Sequence, residues 1–377
     1  MNFNIPTIES LGDIAGKNVL LRLDMNVPIK DGVITDTYRI DQALSTIDIL
    51  RLKGAKVIIF AHSENKEDTS LHLMWDYLNG FVKVQFCKTY FTPESYDMVE
   101  GMENGDVVLF ENIRMNPGEK ANDPEFAKKL AVYGDLYVNE AFSVSHRAHA
   151  SIVGLPALLP HAAGPVFLSE VENLSKAFSP AHPFLFILGG AKFDTKMPLI
   201  QKFLASADHI FVAGALANDV IKAKGYEVGV SIVSDGDFGI SALLENTKFL
   251  TPLDVMVRKP DGSVVEKSVD AVEKDEYIGD IGSQTVALLE KVIADAKFIL
   301  WNGPVGHYEG GFPQNTERLA EIIAKSSAES MVGGGDTLAA IQSLDLLHDF
   351  SFVSTGGGAM LDFLANETMP GIDALVK

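Results

Sequence analysis

Scarce arginines and clustered glycines are the residues here whose types and spacing suit chemistry, and that chemistry is the handling of phosphate. The amino-terminal half holds five arginines: Arg22, Arg39, Arg51, Arg114 and Arg147. Arg39 follows a polar turn, Arg114 follows a strand end, and Arg147 lies in Ser145-His146-Arg147-Ala148-His149. Guanidinium groups bind carboxylate and phosphate bidentately, so three that converge, with a histidine, suit a small di- or trianion. Taken singly, each reads as an ordinary surface salt bridge. Arg51, in RLKG, reads as surface, and Arg22, inside LLRLDM, as a paired structural charge. Asp24 and Asn26 end the first strand, where alternation puts both on one face. They suit either orienting substrate hydroxyls or capping the loop.

The glycines lie in the other half. Gly333-Gly334-Gly335-Asp336-Thr337 follows a strand and opens the helical pattern LAAIQSLDLL. Such a loop lets phosphate reach backbone amides at a helix N-terminus. Asp336 also suits a plain N-cap. Ser354-Thr355-Gly356-Gly357-Gly358-Ala359 repeats the arrangement. Gly189-Gly190-Ala191-Lys192 follows a third strand, with Lys196 four residues on. A helix starting there puts both ammonium groups on one face, either to neutralise a polyphosphate or to sit in solvent. Glu309, after the turn Trp301-Asn302-Gly303-Pro304-Val305-Gly306, suits ribose hydroxyls or plain solvation. No G-x-x-x-x-G-K-[ST] occurs and neither triple glycine completes G-x-G-x-x-G, so this is neither a P-loop enzyme nor an ordinary dinucleotide domain.

The elements that must position these residues alternate between short β-rich runs and helical patterns, which predicts α/β architecture with mostly parallel sheets. The runs are 18–23, 56–60, 82–86, 106–110 and 135–138, then 184–188, 209–212, 297–301, 329–332 and 349–353. Each half accounts for one doubly wound sheet. A helix at 168–178 and the breaker Ser179-Pro180-Ala181-His182-Pro183 mark the junction. Strands of the second half run into glycine, including Gly214 and Asn302-Gly303-Pro304. Strands of the first run into Asp24, Asn26, His62, Arg114 and 139–149. Ligands of doubly wound sheets sit at strand carboxyl ends. The second half therefore suits a nucleotide, and the first a small charged molecule.

The 377 residues, 47% hydrophobic, fill two such domains. A net charge of −20 repels nucleic acid and anionic lipid, which excludes both as expected partners. The single cysteine, Cys87, excludes an intrachain disulfide and a cysteine cluster. The start MNFNIPTIES does not read as a secretory signal, and no apolar run spans a bilayer, so a soluble cytoplasmic protein is expected.

Together these segments resemble phosphoglycerate kinase along nearly the whole chain. The matches include VLLRLDMNVP at 19–28, LFENIRM at 109–115, YVNEAFSVSHRAHAS at 137–151, ILGGAKFDTK at 187–196, LWNGPVGHYE at 300–309, GGGDTLAA at 333–340 and STGGGAMLDFL at 354–364. The resemblance implies two doubly wound domains facing across a hinged cleft. They would comprise 1–166 and 183–365, joined by 167–182, with the tail from about 366 returning to the first. It implies 3-phosphoglycerate on Asp24, Asn26, Arg39, His62, Arg114 and Arg147. It implies ATP or ADP on Lys196, Glu309, Gly334, Gly335, Asp336 and Thr337, with the strand ends at Gly214, Asn302 and Pro304 beside them. Asp336 would meet Mg2+, and Lys192, Lys196, Arg39, Gly356 and Gly357 would surround the transferring group. A monomer is expected on the same ground.

The sequence departs from the family where Ser-His-Leu-Gly-Arg-Pro is usual. It reads Ala61-His62-Ser63-Glu64-Asn65-Lys66, which loses an arginine and adds an acid near the anion site. Glu140 stands for a usual aspartate and Ser283 for a usual proline. The altered loop leaves open a kinase for a related phosphorylated carboxylate. A weakly active relative serving as a binding protein is a third reading, against which the retained Lys192, Lys196, Arg39 and Asp336 argue.

Overall fold

The computed structural model describes residues 3–65, 69–190, 193–236 and 238–376, the side chains of Asp194 and Thr195 excepted. The chain divides into two compact units. One comprises Met1–Glu172 with Asn366–Lys377, the other Asn173–Ala365.

The first unit carries β1 (Asn18–Arg22), β2 (Ile29–Lys30), β3 (Val33–Ile34), β4 (Lys56–Phe60), β5 (Val84–Cys87), β6 (Val107–Phe110), β7 (Leu136–Asn139) and β8 (His161–Ala163). Six of these form one parallel sheet in the order β5-β6-β4-β1-β7-β8, and β2 and β3 form a small hairpin. A parallel sheet is covered on both faces, which is why VLLR, VIIF and VVLF read as continuous apolar runs and are buried throughout. The helix Tyr38–Leu52 covers one face with Ile40, Ala43, Ile47 and Leu50. Its first turn carries Arg39. β1 lies between β4 and β7, so connections leave it in opposite directions and a crevice opens at its carboxyl end.

The second unit carries β9 (Phe184–Leu188), β10 (His209–Val212), β11 (Phe249–Leu250), β12 (Asp254–Arg258), β13 (Val264–Ser268), β14 (Tyr277–Ile281), β15 (Phe298–Asn302), β16 (Glu329–Gly333) and β17 (Phe352–Ser354). Its parallel sheet runs β11-β10-β9-β15-β16-β17. The order reverses between β9 and β15, where Leu188 pairs with Asn302. A separate antiparallel sheet, β13-β12-β14, was not foreseen from the sequence. The last strand starts at Phe352 rather than 349 because Leu347–Asp349 closes into a 3-10 turn.

The chain passes between the units in the helix Pro165–Ser175 and the 3-10 turn Lys176–Phe178. Buried Glu140 fixes where this helix begins. Its carboxylate accepts from the amides of Val166 (3.1 Å) and Phe167 (2.9 Å) and from the Thr46 hydroxyl. Those amides have no partner inside the helix, so an acid there satisfies them. Burial still pushes Glu140 up to about 7.

Candidate functional site

At the carboxyl ends of β1, β4, β6 and β7 the expected anion-binding residues form one connected group. Arg39 Nη1 donates to the carbonyl of Asn26 at 2.9 Å and lies 3.3 Å from Asp24 Oδ2. Asp24 also accepts from the Ser143 hydroxyl and from the Asn26 amide at 2.9 Å. Burial works against its charge, but Arg39 and these donors outweigh it and hold the carboxyl below its ordinary range. His62 is buried, with Nε2 3.8 Å from Asp24 Oδ1. Its Nδ1 lies 3.3 Å from Arg22 Nη2. Arginine can only donate, so Nδ1 accepts and the ring proton sits on Nε2, facing Asp24. Burial, with Arg22, Arg114 and Arg147 nearby, keeps His62 neutral well below the usual range despite Asp24.

Arg22 is the paired structural charge the sequence suggested. It is fully buried, donates to Ser151 Oγ (2.8 Å) and Leu23 O, and faces Glu119 at 4.0 Å. Arg114 differs. Its side chain is 3% exposed, yet none of its three guanidinium nitrogens makes an aligned hydrogen bond. Burial and Arg22 lower it to about 10. Among the described residues its close counter-charge is Glu64 Oε1, 2.5 Å from Nη1. Arg147 Nη1 reaches the same oxygen at 3.4 Å, and Lys120 Nζ stands 3.9 Å away. Positive potential persists around them, since burial with Arg114, Arg22, Arg147 and Lys120 drives His149 down to about 4.

Sequence reasoning overlooked what aligns this group. Buried Asn112 donates to the carbonyls of Ser63 (2.8 Å) and Thr69 (2.7 Å) and accepts from the Arg114 amide (3.0 Å). It therefore ties the 61–65 loop to Arg114. Its signal was a polar residue between a strand end and an arginine, in Glu111-Asn112-Ile113-Arg114. Lys120 and Glu119 were also missed.

In the second unit a cavity of about 270 Å³ opens at the β9/β15 reversal. Gly190, Gly214, Pro304, Glu309 and Asp336 line it, with Val255, Ile281 and Val305 among its apolar walls. The loops after β9 and β15 touch backbone to backbone. A Cβ on Gly189 would lie 2.2 Å from the Pro304 carbonyl, so only glycine fits. Asn302 is buried beneath, its amide 3.5 Å from Met360 Sδ, and does not line the cavity.

Gly334, at φ +106°, caps the helix Gly335–Ser343. Asp336 is therefore a first-turn residue at the cavity rim and not the N-cap. Partial burial and the charge of Glu309 push its carboxyl up. Thr337 is buried, and its hydroxyl has no hydrogen-bond partner. Lys196 lies in the first turn of the helix Phe193–Ser206, and burial lowers it to about 8 against the opposing pull of Asp362. Lys192 lies outside the described residues. Gly356 and Gly357 precede the helix Gly358–Asn366. The Gly356 amide donates to Ser354 Oγ at 3.1 Å. Among the described residues no group of three His, Cys, Asp or Glu forms a metal site, and no helix is long and apolar enough to cross a membrane.

Comparison with known proteins gives a consistent result. The family described as phosphoglycerate kinase matches residues 8–367. A phosphoglycerate kinase of Dictyoglomus turgidum is 42% identical over 381 residues, covering 96% of each chain. One of Haemophilus influenzae is 39% identical, covering 97% of each. The solved phosphoglycerate kinase of Coxiella burnetii aligns over 98% of both chains with a TM-score of 0.83 and 37% identity. That of Pyrococcus horikoshii aligns over 98% of both, with 0.89 and 29%.

Proposed function

The chain belongs to the phosphoglycerate kinase family; from that premise we propose how its residues divide the work of phosphoryl transfer between 1,3-bisphosphoglycerate and ADP, giving 3-phosphoglycerate and ATP. The first unit takes the phosphoglycerate. Arg114 and Arg147 hold its phosphate, Asp24 and Asn26 orient its hydroxyl end, and Arg39 faces the carboxyl that carries the transferring group. His62, neutral and locked by Arg22, shapes this pocket without adding charge. The second unit takes the nucleotide. Apolar walls and the backbone at Gly214 and Pro304 receive the base, Glu309 the ribose, and Gly334, Gly335 and Thr337 the phosphates.

The nucleotide enters with magnesium. Mg2+ usually takes one or two carboxylates and fills its remaining positions with phosphate and water. Asp336 fits that role, because burial and Glu309 already disfavour its bare charge and a cation would relieve both. Bound magnesium supplies charge neutralisation of the phosphate oxygens. This chain's own contribution is positioning and further positive charge, from Lys196, Lys192 and Arg39. An acyl phosphate needs no covalent enzyme intermediate, so alignment and neutralisation suffice.

The observation that carries this reading is Arg114, a buried guanidinium with an unused hydrogen-bonding fork inside a ring of cations. A coupled assay with MgATP and 3-phosphoglycerate tests it. Turnover with that pair is expected, and its absence would sink the assignment. A cytoplasmic enzyme working without nucleic acid or membrane is the setting we propose.

A further inference from the structure

We propose that Glu64 is a tethered competitor for the phosphate site, so that the substrate's phosphate binds by displacing it from Arg114 and Arg147. This rests on the assignment of phosphoglycerate to the first unit.

The geometry is that of an occupied anion site. One carboxylate oxygen meets cations from three segments, Arg114 at 2.5 Å, Arg147 at 3.4 Å and Lys120 at 3.9 Å. A phosphate oxygen would seek the same point. The partners differ in freedom. Arg114 is buried at 3% exposure, whereas Glu64 is 41% exposed. The acid is thus the side chain that can leave. Its backbone can stay, because the Glu64 amide donates to Asn26 Oδ1 at 2.8 Å.

The pairing is also incomplete. Arg114 keeps three nitrogens without aligned hydrogen bonds even with Glu64 beside it. A carboxylate brings one negative charge and two oxygens, whereas a phosphate dianion brings two charges and three oxygens. Phosphate fills the fork that Glu64 leaves unused and wins the exchange. A monoanion gains nothing over the tethered acid and loses to it. Glu64 therefore raises the concentration of phosphoglycerate needed for saturation and excludes simple monoanions from an otherwise open cation cluster. The opposing possibility is that Glu64 holds the arginines in place and so assists binding.

E64Q separates these, with E64A as a second variant in the full chain. Competition predicts that KM for 3-phosphoglycerate falls about tenfold in both variants, the change of a single exposed-to-buried ion pair lost as a rival. KM for MgATP should move by less than about twofold, because Glu64 lies in the other unit. Formate, inert towards the wild type, should become a competitive inhibitor against 3-phosphoglycerate in E64Q. An unchanged or raised KM for 3-phosphoglycerate overturns the proposal. Failure of the functional assignment looks different, as wild type without turnover. Calorimetric titration of inorganic phosphate into wild type and E64Q then still decides the role of Glu64, since tighter binding supports displacement and equal or weaker binding refutes it.

Discussion

The two units each build a six-stranded parallel sheet and prepare for their ligands in opposite ways. At the strand ends of the first, charge meets charge: Arg39 faces Asp24, Arg22 faces Glu119, and Arg114 and Arg147 face Glu64. At the strand ends of the second, backbone meets backbone, and a mostly apolar cavity opens beside three acids, Asp280, Glu309 and Asp336. A small, highly charged ligand offers little area to bury, so side-chain charge must recognise it, and each buried cation carries a counter-charge in the ligand's absence. A nucleotide offers a base, a sugar and phosphates, so a shaped cavity and bare amides suffice. The family fold thus supplies one crevice twice, and residue choice at the strand ends decides what enters.

The largest effect should come from Arg114→Ala. It removes the buried fork and leaves Glu64 with weaker, more exposed partners. Losing charged hydrogen bonds worth roughly 1.5–3 kcal/mol each raises KM for 3-phosphoglycerate by about two to three powers of ten. KM for MgATP should stay within about twofold. Steady-state kinetics with each substrate varied in turn gives both values. A parallel rise in the two constants would break the separation of ligands between units.

Asp336→Asn probes the other side and should weaken MgADP about ten- to hundredfold. The sharper comparison is with magnesium removed by EDTA. There the variant and the wild type should bind ADP alike, or the variant slightly better, because the acid repels bare phosphates. Calorimetry with and without Mg2+ reads this out. A loss of affinity that persists in EDTA means Asp336 shapes the loop rather than meeting the metal.

Lys196 gives the second unit a pH dependence in the alkaline range. Burial lowers it to about 8, below the ~10.4 of a free lysine. Between those values the unfolded chain binds more protons, so this group's contribution to stability rises with pH. If Lys196 meets phosphate as proposed, nucleotide affinity runs the other way, since its ammonium is lost as pH passes 8. MgADP binding should fall several-fold, by about three- to tenfold, from pH 7 to pH 9. Lys196→Arg should flatten that fall, because guanidinium stays charged. Equal slopes for both proteins would remove Lys196 from the phosphate site.

What the sequence made legible follows the same divide. Buried parallel strands such as FLFIL and FILWN announce themselves, and so do glycines at their ends. The antiparallel strands Asp254–Arg258 and Val264–Ser268 did not. The second alternates exposed and half-buried residues over VVEKS, a pattern too short and too polar to stand out. In the arginine cluster, scarcity made Arg39, Arg114 and Arg147 visible. Asn112 and Glu119 stayed hidden because their work lies in contacts across 49 and 32 residues, with Ser63 and Ser151. Those pairings exist only once β4, β6 and the 147–151 segment are brought together.

The loop at 61–66 is where sequence and structure weigh an effect differently, and it yields the smallest prediction. On the family pattern, an arginine in place of Asn65 restores a charged hydrogen bond worth about one to two powers of ten in affinity. Lys66, the neighbouring cation, lies outside the described residues. The Asn65 amide lies 3.4 Å from the Ile29 carbonyl, and its backbone N–H donates to Ser63 Oγ at 3.2 Å. That turns the side-chain amide toward the β2–β3 hairpin. A new guanidinium there has the acid Glu64 as its immediate chain neighbour. Part of the added charge is spent on that acid, so Asn65→Arg should lower KM for 3-phosphoglycerate by only about threefold. Pairing it with Glu64→Gln should give more than the product of the two single effects, because the new arginine then has no internal rival. A double-mutant cycle on KM measures the coupling. Strict multiplicativity would show that position 65 and Glu64 do not share the anion, and the first unit's charge balance would then rest on Arg114 and Arg147 alone.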